Sequence, residues 1–169
     1  GQYAFHDQRF DESGEPTDHP FNQSRFADAS VLAVNANFGT GSSREHAPQA
    51  LARWGIDAIV GESFAEIFAG NCLALGIPTA RAEPGVVGAL QDWIEANPGS
   101  PIAVDVAGET VSFGEQTEPV SFGETARRTL LEGVWDTTAV MRDNLEAVRD
   151  VARSLPYVDD GPGGTATDD

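Results

Sequence analysis

Apolar positions change their period along this chain. Residues 29–35, "ASVLAVN", form a short apolar run of strand length, rich in β-branched valine. After a turn rich in glycine and serine, "REHAPQALARWG" (44–55) sets Ala47, Leu51 and Trp54 at helical spacing, with Gly55 as the stop. Pro48 fits a helix only within its first turn, so the start lies between residues 43 and 47. "IDAIVG" (56–61) predicts a second strand. "SFAE" (63–66) matches a capping box, and the helix it opens runs to Gly76. "IPTAR" (77–81) predicts a third strand, and "VVGALQDWIEAN" (86–97) a third helix closed by Pro98 and Gly99. Strand and helix alternating in this way predict an α/β domain with a mostly parallel central sheet and flanking helices.

Beyond residue 100 the period shortens to two. "IAVDVAGETVSF" (102–113) predicts a β-hairpin turning at Ala107, Gly108 and Glu109, and "TEPVSFG" offers a third strand. Helices follow over 124–133 and 137–155, the second with Val140, Leu145, Val148, Val151 and Leu155 near one face. Residues 1–29 read as an irregular loop packed by Phe5, Phe10, Phe21 and Phe26. Residues 159–169 read as a disordered acidic tail, which leaves 1–158 as one domain.

Composition narrows the partners. The 169 residues are 40% hydrophobic, enough for one globular core. The formal charge is −17, and all ten basic residues are arginine. Such a surface repels nucleic acid and anionic membranes. It also points to a halophile, whose salt-rich cytoplasm shortens the reach of self-repulsion. A lone cysteine, Cys72, forms no internal disulfide and holds no cluster, which takes about three or four thiolates. It reads as a small buried apolar residue. No secretory leader or apolar span of about 20 residues is present, so the chain reads as cytoplasmic.

The candidate chemistry lies in "NANFGTGSSREHAP" (35–48), where the first strand turns into the first long helix. Helix N-termini attract anions through free N–H groups and the dipole. Gly39 and Gly41 allow a sharp bend and close approach to a ligand. Ser42 and Ser43 add hydroxyls, and Arg44 adds a fork that grips a carboxylate. The letters do not fit a dinucleotide fingerprint, a P-loop or a hydrolase elbow. Two readings stay open on residue chemistry alone: a cradle for a small carboxylate or phosphate, or a serine-capped helix with surface charges. Asn37 either sets the turn's backbone or touches a ligand. Glu45 and His46 are helical neighbours that do not face each other and read as structural. His6 and His19 read as loop residues, and Trp54 and Trp93 as core. Trp135 fits either the core or a partner contact.

Asn37-Phe38-Gly39, the run from Gly41 to Pro48, Ser63-Phe64-Ala65, Ile67-Phe68 and Asn71-Cys72 resemble the small subunit of 3-isopropylmalate dehydratase. That family is related to the C-terminal swivelling domain of aconitase. The resemblance covers roughly residues 21–133 and implies a swivelling β/β/α domain with a C-terminal hairpin and helices. It implies a hydro-lyase of leucine biosynthesis shared with a large subunit, in a heterodimer or heterotetramer, whose three cysteines hold a [4Fe-4S] cluster. By resemblance Ser42 is the base that moves the carbon-bound proton. Arg44 clamps a substrate carboxylate, and Ser43, Gly39, Gly41 and Asn37 complete the binding site. The isolated chain is then expected to be inactive. Thr40 stands where the family usually has cysteine, with little effect expected. The family's N-terminal strand and specificity loop are expected upstream of Gly1. Without them the resemblance also admits a homoaconitase or citraconate-type small subunit, or a carboxylate-binding module without catalysis.

Overall fold

In a computed structural model of the protein, the residues described are 4–41, 45–134 and 144–154. The chain divides into two compact units, Gly1–Trp135 and Asp136–Asp169.

The first unit is built on a parallel sheet in the order β1 (Val31–Val34), β2 (Ala58–Gly61), β3 (Thr79–Arg81). Val31 pairs with Ala58, and Ile59 with Thr79. The strands are parallel because each link is a helix: α2 (His46–Trp54) joins β1 to β2, and α3 (Glu66–Ala74) joins β2 to β3. All four residues of β2 are buried, as a central strand covered on both faces requires. Its side chains alternate between two cores. Ile59 joins Leu51, Ile56, Phe64, Phe68 and Cys72 beneath α2 and α3. Val60 joins Val87, Leu90, Val111 and Phe113 beneath α4 (Pro84–Ala96) and a second sheet.

That second sheet is antiparallel: β4 (Ile102–Asp105), β5 (Thr110–Phe113) and β6 (Gln116–Pro119). The predicted hairpin is present, and the third strand offered by "TEPVSFG" is β6. Asp105 Oδ1 accepts the N–H groups of Ala107 and Gly108, both at 2.9 Å, and Glu109 closes the turn at φ 52°. Paired backbone bonds between Arg81 and Ser121 (2.9 and 2.8 Å) join the two sheets. Then α5 (Glu124–Glu132) ends at Gly133, φ 71°. In the second unit, α6 (Leu145–Ser154) carries the described part of the last predicted helix, and Leu145, Val148 and Val151 are exposed. Val140, Leu155, Trp135 and the predicted acidic tail lie outside the described residues.

Pro48 is the third residue of α2 and buried, and Gly55 caps that helix at φ 116°, both as the spacing predicts. Two expectations need correction. The N-terminal segment is not wholly irregular: it holds α1 (His6–Arg9) and two 3-10 turns at Pro20–Asn22 and Ser24–Phe26. Only two of its four phenylalanines, Phe5 and Phe21, pack on a core cluster. Phe10 and Phe26 instead lie beneath the guanidinium groups of Arg9 and Arg25, at 5.3 and 4.4 Å. Second, Ser63 caps no helix. The N-cap of α3 is Ala65, and no side chain caps it. The Ser63 hydroxyl has another partner, described below. Among the described residues no helix is long and apolar enough to cross a membrane.

Candidate functional site

Beyond β1 the chain does not pass directly into α2. Asn35 is held from the side, its Oδ1 accepting from Gln91 Nε2 of α4 at 2.9 Å. Asn37 then adopts φ 59°, a left-handed conformation that asparagine tolerates better than most residues. Its N–H donates to the Ser63 hydroxyl at 2.8 Å. Its carbonyl accepts from the Thr40 hydroxyl at 2.6 Å and the Thr40 N–H at 3.3 Å. Phe38 continues the parallel pairing past the end of the strands: its N–H donates to the Ser63 carbonyl (3.0 Å), and its carbonyl accepts from Ala65 (2.9 Å). The turn is thereby fastened to the entry of α3. The helix starts at Glu66 with Ala65 as its N-cap, so Ser63 stands two residues before the cap position and its hydroxyl serves the turn instead.

Gly39 is required twice over. It sits at φ 86°, and a Cβ there would collide with the Phe68 side chain, whose ring meets Phe38 edge-on at 5.2 Å. Gly41 differs: a Cβ there would meet nothing within 4 Å. Ser42, Ser43 and Arg44 lie outside the described residues. Glu45 is the N-cap of α2, and its Oε1 accepts from Gln49 Nε2 at 3.0 Å. A carboxylate there complements the positive end of the helix.

Gly39, Gly41 and His46 all line one open cleft of about 660 Å³. Its other walls come from α2, from Phe38 and Phe68, and from Ala4 to Gln8 of the N-terminal segment. Sequence reasoning did not place that segment at the turn. The signal for it is tertiary. Arg9 is buried, donates through Nε to Asn22 Oδ1 at 2.9 Å, and stacks 4.8 Å from the Trp54 ring of α2. His19 Nδ1 accepts the Phe21 N–H at 3.2 Å; burial, then the nearby Arg9 charge, holds its pKa below the usual histidine value. A smaller apolar cleft of about 350 Å³, walled by Phe21, Phe26, Leu32, Trp54 and Ile94, contains none of the turn residues.

The described residues do not suit a metal or cluster. They contain no group of three or more His, Cys, Asp or Glu able to hold an ion. Burial pushes the Cys72 thiol up to about 12, so at neutral pH it is neither a thiolate ligand nor a nucleophile. What the arrangement offers is a strand, a strained turn and a helix N-terminus opening on a cleft, a design suited to binding a small anion.

Residues 2–83 match the family model of the aconitase C-terminal domain. The chain is 46% identical to the 3-isopropylmalate dehydratase small subunit of Thermus thermophilus over 157 residues, covering 93% of this chain and 78% of the relative. It is 46% identical to the small subunit of the same name from Synechocystis over 158 residues, covering 94% and 78%. A crystal structure of 3-isopropylmalate dehydratase from Methanocaldococcus jannaschii superposes with a TM-score of 0.52 at 26% identity, covering 72% of this chain and 70% of that one.

Proposed function

Because the chain belongs to the family of 3-isopropylmalate dehydratase small subunits, built on the aconitase C-terminal domain, we propose that its glycine turn forms one half of a hydro-lyase site completed by a large subunit. The observation that carries this reading is the cleft itself, onto which Gly39, Gly41 and the first residue of α2 all open. The overall reaction isomerises 2-isopropylmalate to 3-isopropylmalate through 2-isopropylmaleate. Ser42 takes the carbon-bound proton and returns it on rehydration. Arg44 holds a substrate carboxylate as a bidentate fork. Ser43, Asn37 and the backbone around Gly39 and Gly41 complete the cradle.

Magnitudes require the second subunit. A serine hydroxyl is a weak base that needs activation. A helix N-terminus supplies at most about 2 kcal/mol, or about one and a half pK units. The charge of Arg44 adds appreciably more only where water is excluded. An open cleft does not exclude it, so docking of the partner must. In this reading the [4Fe-4S] cluster is carried by that partner. The complex, a heterodimer or heterotetramer, would work in the cytoplasm.

Reconstitution tests this reading. The chain and a Ser42→Ala variant are mixed with the cluster-bearing large subunit in high salt without oxygen, and 2-isopropylmaleate is followed by its ultraviolet absorbance. Turnover is expected only with both subunits present, and the Ser42→Ala mixture should be slower by about 100-fold or more. Equal rates for the two versions would remove Ser42 from the role of base.

A further inference from the structure

We infer that Phe5 is a positioning residue for the glycine turn: Arg9 holds it in a strained backbone conformation, from which its ring bears on Phe38 of the turn. The effect on turnover rests on the proposed function; the effect on the turn does not.

Phe5 stands at φ 53° and ψ 30°, in the left-handed region. An aromatic residue occupies that region only where its surroundings impose it, and such outliers gather at functional sites. Part of the support is local. The Phe5 carbonyl accepts the N–H groups of Gln8 (2.9 Å) and Arg9 (2.8 Å), which opens α1. The rest comes from the buried Arg9 guanidinium. It reaches the Ala4 carbonyl at 3.5 Å, donates to Asn22 at 2.9 Å and stacks on Trp54 of α2. Asn22 answers through Nδ2, which donates to the Arg9 carbonyl at 2.6 Å and the Thr17 carbonyl at 2.9 Å. The chain on both sides of Phe5 is thereby fixed to the rest of the fold.

The strained conformation places a ring where the turn needs one. Phe5 meets Phe21 edge-on at 5.0 Å and Phe38 at 6.2 Å. Phe38 in turn meets Phe68 of α3 at 5.2 Å, and Phe21 meets Trp54 at 4.7 Å. All these separations lie in the range over which aromatic pairs attract. A row of rings therefore runs from α2 through the N-terminal segment and the turn to α3. Ser63 and Ala65 hold the backbone of the turn, and this row holds its side chain. Phe5, Phe38, Gly39 and Gly41 line the same cleft, so the brace stands at the candidate site itself. A turn that carries reacting groups has to be held closely, because a small misplacement costs a large factor in rate.

The test uses the full chain and the reconstituted complex. Phe5→Leu keeps apolar bulk and removes the ring. Amide hydrogen exchange of the full chain should then quicken at Asn37 and Phe38 by about threefold or more, the worth of one aromatic pair. The N–H of Ile59, bonded to the Pro78 carbonyl in the parallel sheet, should keep its rate. Phe5→Tyr retains the ring and should leave all three rates as in the wild type. In the complex, kcat should fall by about threefold or more with Phe5→Leu and recover with Phe5→Tyr. A merely structural role would quicken Ile59 together with the turn and leave kcat unchanged well below the unfolding midpoint. Arg9→Lys keeps the charge but loses the planar fork. It should loosen Asn37 and Phe38 in the same way, and it serves if Phe5→Leu does not fold. Unchanged exchange at Asn37 and Phe38 in both variants overturns the inference, and so does faster exchange there with undiminished kcat; in either case an active wild-type complex leaves the proposed function standing. A wild-type complex without turnover overturns the proposed function, while the exchange rates still decide whether Phe5 holds the turn.

Discussion

At the scale of single residues, Gly39 and Gly41 look interchangeable in the sequence, and the structure separates them. Gly39 sits at φ 86° against Phe68, whereas Gly41 has open space where a Cβ would stand. An alanine at 39 incurs left-handed strain of about 1–2 kcal/mol and a packing clash of about 1–3 kcal/mol. Gly39→Ala should therefore lower the unfolding free energy by about 3 kcal/mol, read from urea titration. Gly41→Ala should cost under about 1 kcal/mol and act on turnover instead, since its side chain would enter the cleft. Equal stability losses at the two positions would contradict this division. Cys72 followed its sequence reading closely: it stands on α3, fully buried in the core with Ile59 and Phe68.

Among the elements, what was legible depended on the range of the signal. The helix stop at Gly55, the first-turn Pro48 and the alternation of 102–113 are set by residues a few positions apart, and all appear in the fold. Ser63 shows where that logic ends. Serine three residues before glutamate satisfies the capping pattern, yet its hydroxyl accepts from Asn37, 26 residues away. Spacing cannot rank a local partner against a distant one. The placing of the N-terminal segment was hidden for the same reason, because Arg9 is held by Asn22 and Trp54 across the fold. The role of Ser63 has a distinct consequence. Ser63→Ala leaves α3 without any lost cap but leaves the Asn37 N–H without its acceptor. Thermal unfolding should show a loss of about 1 kcal/mol, the size of one ordinary hydrogen bond. Far-ultraviolet circular dichroism should be unchanged, and turnover of the complex should fall because the turn is loosened. A drop in helix content would restore the capping-box reading.

For the whole molecule, charge is the quantity that no local contact explains. Twenty-seven acidic residues against ten arginines leave −17 on a small chain, so like charges crowd its surface and oppose compaction. Ion pairs relieve this little where they are described: Arg127 stands 3.8 Å from Glu109 and Arg153 3.4 Å from Asp150, all on exposed or half-exposed side chains. Dissolved ions can do what the protein's own cations do not. The screening length is about 10 Å at 0.1 M salt and about 3 Å at 1 M, so repulsion between separate surface carboxylates is largely removed over that range. The midpoint of thermal unfolding should rise by about 5 °C or more between 0.1 and 2 M potassium chloride, with most of the gain below 1 M. That shape matters, because screening saturates while strengthened burial from ion exclusion keeps growing with concentration. Sucrose at matched osmolality raises burial without screening and should reproduce little of the early rise. The same repulsion acts between subunits if the large subunit is also acidic, so assembly and activity should follow the same salt curve. A midpoint that stays flat from 0.1 to 2 M would mean that the acidic surface is already balanced by its arrangement, and that the charge count says nothing about the salt in which this protein works.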